Sequence, residues 1–227
     1  MNKKIAPVFL LIGAIILLII ASRHYLGYRY FNQYKSIRAA AKSVERSFPE
    51  LEGTLLKAIR FSKNPAFFQE LGRLYFERAV AENNSGAPER REFYLDRARE
   101  AFSQQIERNP FEAIAYYDLG NVYMLYNFPL LVTTDKARAS YRKAVEFNPA
   151  NEFLNLNVLT TFLMQWSDLG AEEKTFVFRQ LAKMAKDYER FLVKLKRQWL
   201  KNTGNEAGLK EILELDSALW EKAKKYF

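Results

Sequence analysis

The chain has 227 residues, 49% of them hydrophobic, with 35 Lys and Arg against 26 Asp and Glu, a net charge of +9, one His and no Cys. It is too apolar to be disordered, and without Cys it has no disulfide framework, thiolate metal site or cysteine nucleophile. A single His leaves no His pair for zinc and argues against a His-dependent triad.

The charge is unevenly placed. Residues 1–63 carry a net +8, residues 64–150 a net −1, residues 151–173 a net −4, residues 174–201 a net +7 and residues 202–227 a net −1. Two basic blocks therefore flank an electrically ordinary middle.

Ile5 to Ser22 holds no charge, with Lys3 and Lys4 before it and Arg23 after it. At 1.5 Å per residue such a helix covers about 27 Å, close to a hydrocarbon core of about 30 Å. The competing reading is a cleaved signal peptide, whose only small-residue exit is Ile20-Ala21-Ser22, with Ile where a small side chain is wanted. Residues 1–25 are therefore expected to be an uncleaved single-pass anchor with a short basic leader. Tyr25, Tyr28, Tyr30 and Phe31 follow as expected interfacial aromatics, and His24 reads as an ordinary residue at the same edge. Orientation stays open. Arg23, Arg29, Lys35, Arg38 and Lys42 point to a cytoplasmic C-terminal part. The Lys-Lys leader looks like an export signal and leans towards a periplasmic one in a bacterial inner membrane.

Residues 26–63 read as a juxtamembrane helical segment. Residues 26–46 either continue the membrane helix or pack beneath it. Ser47-Phe48-Pro49-Glu50 is a capping box, predicting a short helix to about Phe61.

Residues 64–170 contain an internal repeat. Phe68-x-x-Leu71-Gly72-x-x-Tyr75 is echoed by Tyr116-x-x-Leu119-Gly120-x-x-Tyr123. Ala98-x-x-x-Phe102 reaching Asn109-Pro110 is echoed by Ala137-x-x-x-Tyr141-x-x-Ala144 reaching Asn148-Pro149, with twelve residues from Ala to Pro in each. Gly on one helix and Ala on its partner let two backbones approach, and the aromatics and Leu fill the space beside them. Asn before Pro ends one helix and can cap the next. The first copy carries about fourteen extra residues around its turn and the second about five, within 127–135. A degenerate third copy begins at Glu152-Phe153, with Val158, Leu159 and Phe162 in place of Leu, Gly and Tyr.

Residues 171–227 read as C-terminal amphipathic helices. No Pro or Gly interrupts 171–202, which predicts one long helix. Leu181, Met184, Tyr188, Phe191, Leu195 and Trp199 form its apolar stripe. Opposite them, Arg179, Lys183, Lys186, Arg190, Lys194, Arg197 and Lys201 form a basic ridge. The ridge reads either as a solvated face or as a contact for anionic lipid or an acidic partner. It has no interleaved aromatics, which argues against nucleic acid. The final stretch, Glu206 to Phe227, is expected to cap the stack or lie in its groove. The fold class is all-α.

The repeat spacing resembles the tetratricopeptide repeat family. The resemblance implies a helical-hairpin solenoid after the membrane helix, ended by long capping helices, with a peptide or helix of another protein bound along its concave face. Transferred to this sequence, that face holds Gln69, Arg73, Phe76 and Glu77 in the first copy and Tyr117, Asn121, Met124 and Leu125 in the second. The third copy would add Leu156, Thr160 and Leu163. Asn121 matches a position some relatives use to clamp a C-terminal carboxylate, but Tyr117 stands where that clamp needs Lys. No Gly-rich phosphate loop, nucleophile elbow or metal-spaced cluster is present, so no catalytic residue, metal or cofactor is expected. The implied function is a membrane-anchored scaffold or adaptor that binds a partner protein in assembling or tethering a membrane or envelope complex. The alternatives are a dedicated structural subunit of one membrane complex, or a membrane-surface protein using the basic helix 174–201 on anionic lipid.

Overall fold

The computed structural model describes residues 5–127, 134–188 and 190–227, and every regular element among them is a helix. The chain divides into two compact units at Pro110/Phe111, between the two firm copies of the repeat.

In the first unit, α1 (Ile5–Ala40) runs unbroken for 36 residues. From Leu10 to Ile20 its large apolar side chains are exposed, Leu10 by 75% and Leu18 by 68%. Helix α1 is long and apolar enough to cross a membrane. Beyond it α1 changes role and packs along α2 (Val44–Phe61). The crossing falls at Gly27, where an added Cβ would lie 2.6 Å from Ser62 Cβ. Most of the aromatics expected at a membrane interface belong to this packing instead. Tyr30 stacks on Phe61 with centroids 5.6 Å apart, Tyr28 meets Phe67 edge-on at 5.4 Å, and Phe31 is buried 4.5 Å from Phe67. Only Tyr25 of the four is left without a ring partner, among the described residues.

Helix α2 opens earlier than its capping box suggests. Ser43 is its N-cap, and Pro49 lies inside the helix. Starting at Val44 brings Phe48 into the core, where it meets Tyr75 at 6.0 Å and Tyr94 at 5.4 Å. That burial outweighs one backbone hydrogen bond lost at the proline.

Helices α3 (Pro65–Asn84) and α4 (Pro88–Arg108) form the first repeat hairpin. Asn64 caps α3, its Oδ1 accepting from Ala66 N at 2.9 Å. A Cβ on Gly72 would meet the Phe102 ring at 2.6 Å, the close approach that the repeat spacing demands. The extra residues of this copy do not make a long turn. They lengthen both helices and leave only Ser85 to Ala87 between them, with Gly86 at a φ of 73°. The added turns are held by the Arg78–Glu82 ion pair at 2.5 Å and by Arg78 lying over the Phe48 and Tyr94 rings.

In the second unit, α5 (Ala113–Tyr126) and α6 (Asp135–Phe147) form the second hairpin. Most of its expected turn insertion, 128–133, lies outside the described residues. A Cβ on Gly120 would lie 2.5 Å from the Tyr141 ring. The Asn-Pro pairs at 109–110 and 148–149 end helices as expected. They do not cap the next ones: α5 starts after Glu112 and α7 (Glu152–Met164) after Asn151, whose side chain accepts from Leu154 N.

The long helix expected over 171–202 is two helices, α8 (Ala171–Asp187) and α9 (Phe191–Thr203). The backbone is extended at Tyr188, whose hydroxyl donates to the Ala150 carbonyl. Breaking here lets both halves pack on α7 and buries Leu181, Met184, Phe191, Leu192, Leu195 and Trp199 in one core. That apolar burial overrides the helix propensity of an uninterrupted stretch. The final stretch is also two helices, α10 (Glu206–Glu214) and α11 (Ser217–Ala223), packed on α9 and α8 respectively. They cap that core with Leu209, Ile212, Leu213, Leu219 and Ala223.

One buried polar network ties the α6–α7 turn to α8. Asn155, fully buried, donates to Asn151 O at 2.8 Å and accepts from Gln180 Nε2 at 2.7 Å; Gln180 also donates to Pro149 O at 2.9 Å. Asn155→Leu removes one of the two acceptors of the buried Gln180 amide and should destabilise the second unit by about 1–3 kcal/mol. The double change Asn155→Leu/Gln180→Leu should recover part of that loss. All three Trp residues (166, 199 and 220) lie in this unit, so denaturant titration followed by Trp fluorescence reads it alone. Equal stability of Asn155→Leu and the parent chain would show that the network contributes nothing.

Candidate functional site

The face inferred from the repeat register falls on both units. In the first, Gln69, Arg73, Phe76 and Glu77 are all half-buried on α3. Part of this face is already engaged by α1. Arg38 Nη2 donates to Glu77 at 2.5 and 2.6 Å, and the Tyr34 hydroxyl donates to Glu70 at 3.1 Å. Arg73 lies 3.8 Å from the same Glu70. Glu77 is thus committed to an internal ion pair and is not a free contact for a ligand.

In the second unit the α5 residues line the approach to Tyr141. Asn121 Oδ1 accepts from the Tyr141 hydroxyl at 2.8 Å, and Met124 Sδ lies 3.8 Å from it. The Tyr117 ring packs 5.8 Å from Tyr141 and 6.1 Å from Phe153. Burial, the main cause, raises the pKa of both phenols, Tyr117 and Tyr141, so both stay protonated at neutral pH. Leu125 is half-buried. On α7, Thr160 and Leu163 are each 1% exposed, and Thr160 Oγ1 donates to Leu156 O. These two are core residues that no ligand can reach. Leu156 alone of the third-copy residues keeps an open side.

The reason is α9, which lies against α7. Gln198 Nε2 donates to Asn157 Oδ1 at 3.1 Å, Lys194 Nζ bonds Glu152 at 2.8 Å, and Asn202 Nδ2 approaches Met164 Sδ at 3.7 Å. The basic ridge is divided by the break at Tyr188. Arg179, Lys183 and Lys186 sit on α8, Arg190 is the N-cap of α9, and Lys194, Arg197 and Lys201 follow on α9. All seven are exposed, and among the described residues Lys194 is the one that makes an ion pair.

Between α7 and α9 the two sets of residues meet. A cavity of about 530 Å³ is lined by Leu156, Asn157, Lys194, Arg197, Gln198, Lys201 and Asn202. It combines an apolar floor, three amide side chains and three cations, two of them without an ion-pair partner among the described residues. Asn157, Gln198 and Asn202 were not among the residues the repeat register indicates. The spacing Lys194, Gln198, Asn202 beside Arg197 and Lys201 places them on one helical face, and that was the available signal.

No protein-family model matches the sequence, and no curated protein is significantly similar to it.

Proposed function

We propose that the chain is a membrane-anchored, tetratricopeptide-like helical adaptor that binds another protein and catalyses no reaction of its own. The apolar half of α1 would be the single-pass anchor and the helical hairpins the binding scaffold. The observation that carries the reading is the α7–α9 cavity, whose lining puts Arg197 and Lys201, without ion-pair partners among the described residues, beside apolar Leu156. Such a site suits a peptide segment that carries a carboxylate beside an apolar side chain.

A photo-crosslinking residue at Gln198 in the full-length chain, in native membranes, is expected to capture one partner segment that contains Asp or Glu. Arg197→Glu/Lys201→Glu should reduce capture by roughly tenfold or more, and reversing the partner's acidic residues to Lys should restore it. Undiminished capture by the double variant would overturn the assignment. Tyr117→Ala is a poorer test, because Tyr117 also packs against Tyr141 and Phe153 and its loss would disturb folding.

The alternative reading of 174–201 as a lipid-binding helix asks for one straight ridge. The break at Tyr188 divides that ridge between two helices, and this favours the adaptor.

A further inference from the structure

We propose that the cavity between the end of the apolar stretch of α1 and the α2–α3 turn binds the phosphate headgroup of an anionic glycerophospholipid. The proposal rests on the reading of Ile5–Ser22 as a membrane span. The cavity, of about 490 Å³, is lined on α1 by Ile20, Arg23 and His24 and on the turn by Ser62, Lys63 and Asn64. No carboxylate lines it among the described residues.

Its position follows from the chain itself. Ile20 is 47% exposed and closes the row of uncovered apolar side chains that begins at Leu10. Arg23 is the first charged residue after that row. Three residue steps of helix carry the chain from Ile20 to Arg23, about 4.5 Å along the axis, so the cavity straddles the level where hydrocarbon gives way to headgroups. An acyl chain would lie against Ile20 while its phosphate meets Arg23 and Lys63.

The polar groups are arranged for this. His24 and Ser62 are held together, Ser62 Oγ lying 3.0 Å from His24 Nδ1. Arg23 Nη2 reaches the Arg60 carbonyl at 3.5 Å, which leaves most of its guanidinium donors unspent. Lys63 is exposed and makes no ion pair among the described residues. Gly27 sets the geometry, because its missing side chain lets the end of α2 come down against α1 and delivers Ser62 and Lys63 beside Arg23. Cations at the end of a membrane helix attract anionic lipid in general. Here a concave site with a fixed apolar wall adds selectivity for one headgroup at one place.

The test uses the full-length chain reconstituted in discs of phosphatidylcholine mixed equally with phosphatidylglycerol, released into detergent and weighed intact by native mass spectrometry. The parent chain should retain phosphatidylglycerol in preference to phosphatidylcholine. Arg23→Gln/Lys63→Gln should lower that retention roughly tenfold or more, as removal of two charge-assisted contacts to a phosphate implies. Lys63→Gln alone, on an exposed turn, should lower it by a smaller factor with folding untouched. A ridge variant, Lys183→Gln/Arg190→Gln, should retain as much as the parent. Excess inorganic phosphate should fail to displace the lipid. Equal retention of the two lipids, unchanged retention by the Arg23/Lys63 variant, loss in the ridge variant, or displacement by inorganic phosphate would each overturn the headgroup site. Flotation with pure phosphatidylcholine vesicles separates the two levels. A chain that floats but shows no headgroup preference overturns this site alone, and a chain that does not float overturns the membrane span as well.

Discussion

Removal of residues 1–43 is expected to unfold the first unit, whereas removal of residues 1–22 is expected to leave it folded. The second half of α1 is part of that unit's core. Phe31 and Tyr34 are 7% and 3% exposed, and Gly27, Tyr28 and Phe31 contact α2 or Phe67 directly. Losing a buried aromatic costs about 3–5 kcal/mol. Two such losses rival the whole net stability of a typical domain, about 5–15 kcal/mol. The Arg38–Glu77 pair goes as well, leaving a half-buried carboxylate without its partner. Hydrogen exchange along α3 and α4 distinguishes the two truncations. Protection there should persist in the 23–227 chain and collapse in the 44–227 chain. Equal protection in both would mean that α1 contributes nothing to the first unit's stability beyond its apolar stretch.

Gly120→Val should lower the unfolding midpoint of the second unit. The new Cβ would meet the Tyr141 ring at 2.5 and 2.6 Å. Tyr141 cannot move aside easily, since it is 1% exposed, bonded to Asn121 through its hydroxyl and packed edge-on to Phe162 at 6.3 Å. Leaving glycine gains back a few tenths of a kcal/mol of helix propensity. Overpacking of this kind costs about 1–3 kcal/mol, so the clash decides the sign, and each kcal/mol lowers the midpoint by several degrees. Trp fluorescence reads the transition. Tyr141→Leu in the Gly120→Val background should cost less than Tyr141→Leu alone, because the ring is the source of the clash. If the two changes add independently, the Gly–aromatic contact is not what sets the spacing of these helices.

Part of this architecture can be read directly from the residues. Leu71-Gly72-x-x-Tyr75 and Leu119-Gly120-x-x-Tyr123 name the helices that come close, and Gly72–Phe102 and Gly120–Tyr141 are the contacts they announce. Leu26-Gly27-x-x-Tyr30 carries the same spacing and makes the same kind of close approach, against Ser62. It is hard to see in the sequence because it follows an eighteen-residue apolar run whose hydropathy dominates the window. The break at Tyr188 carries no local mark, neither Pro nor Gly, and arises from the tertiary gain of folding two apolar stripes onto α7. The extra turns of α3 and α4 were obscured for the opposite reason. Asn83, Asn84 and Gly86 suggest a loop, yet the charged residues on either side form helix and pair across it, as Arg91 Nη1 does with Asn83 at 3.2 Å. Of the residues lining the α7–α9 cavity, the repeat register names Leu156 and the basic stripe names Lys194, Arg197 and Lys201, whereas Asn157, Gln198 and Asn202 come together only through a packing no single helix encodes.

The continuity of α1 has a mechanical consequence. Gly27, the glycine between the exposed apolar stretch and the packed half of α1, is pinned against Ser62, so the two halves of α1 turn together as a lever at that point. In a bilayer, an apolar stretch of about 27 Å stands upright where the lipid is thick and leans where it is thin. The first unit would lean with it, converting bilayer thickness into the angle at which its surface is presented.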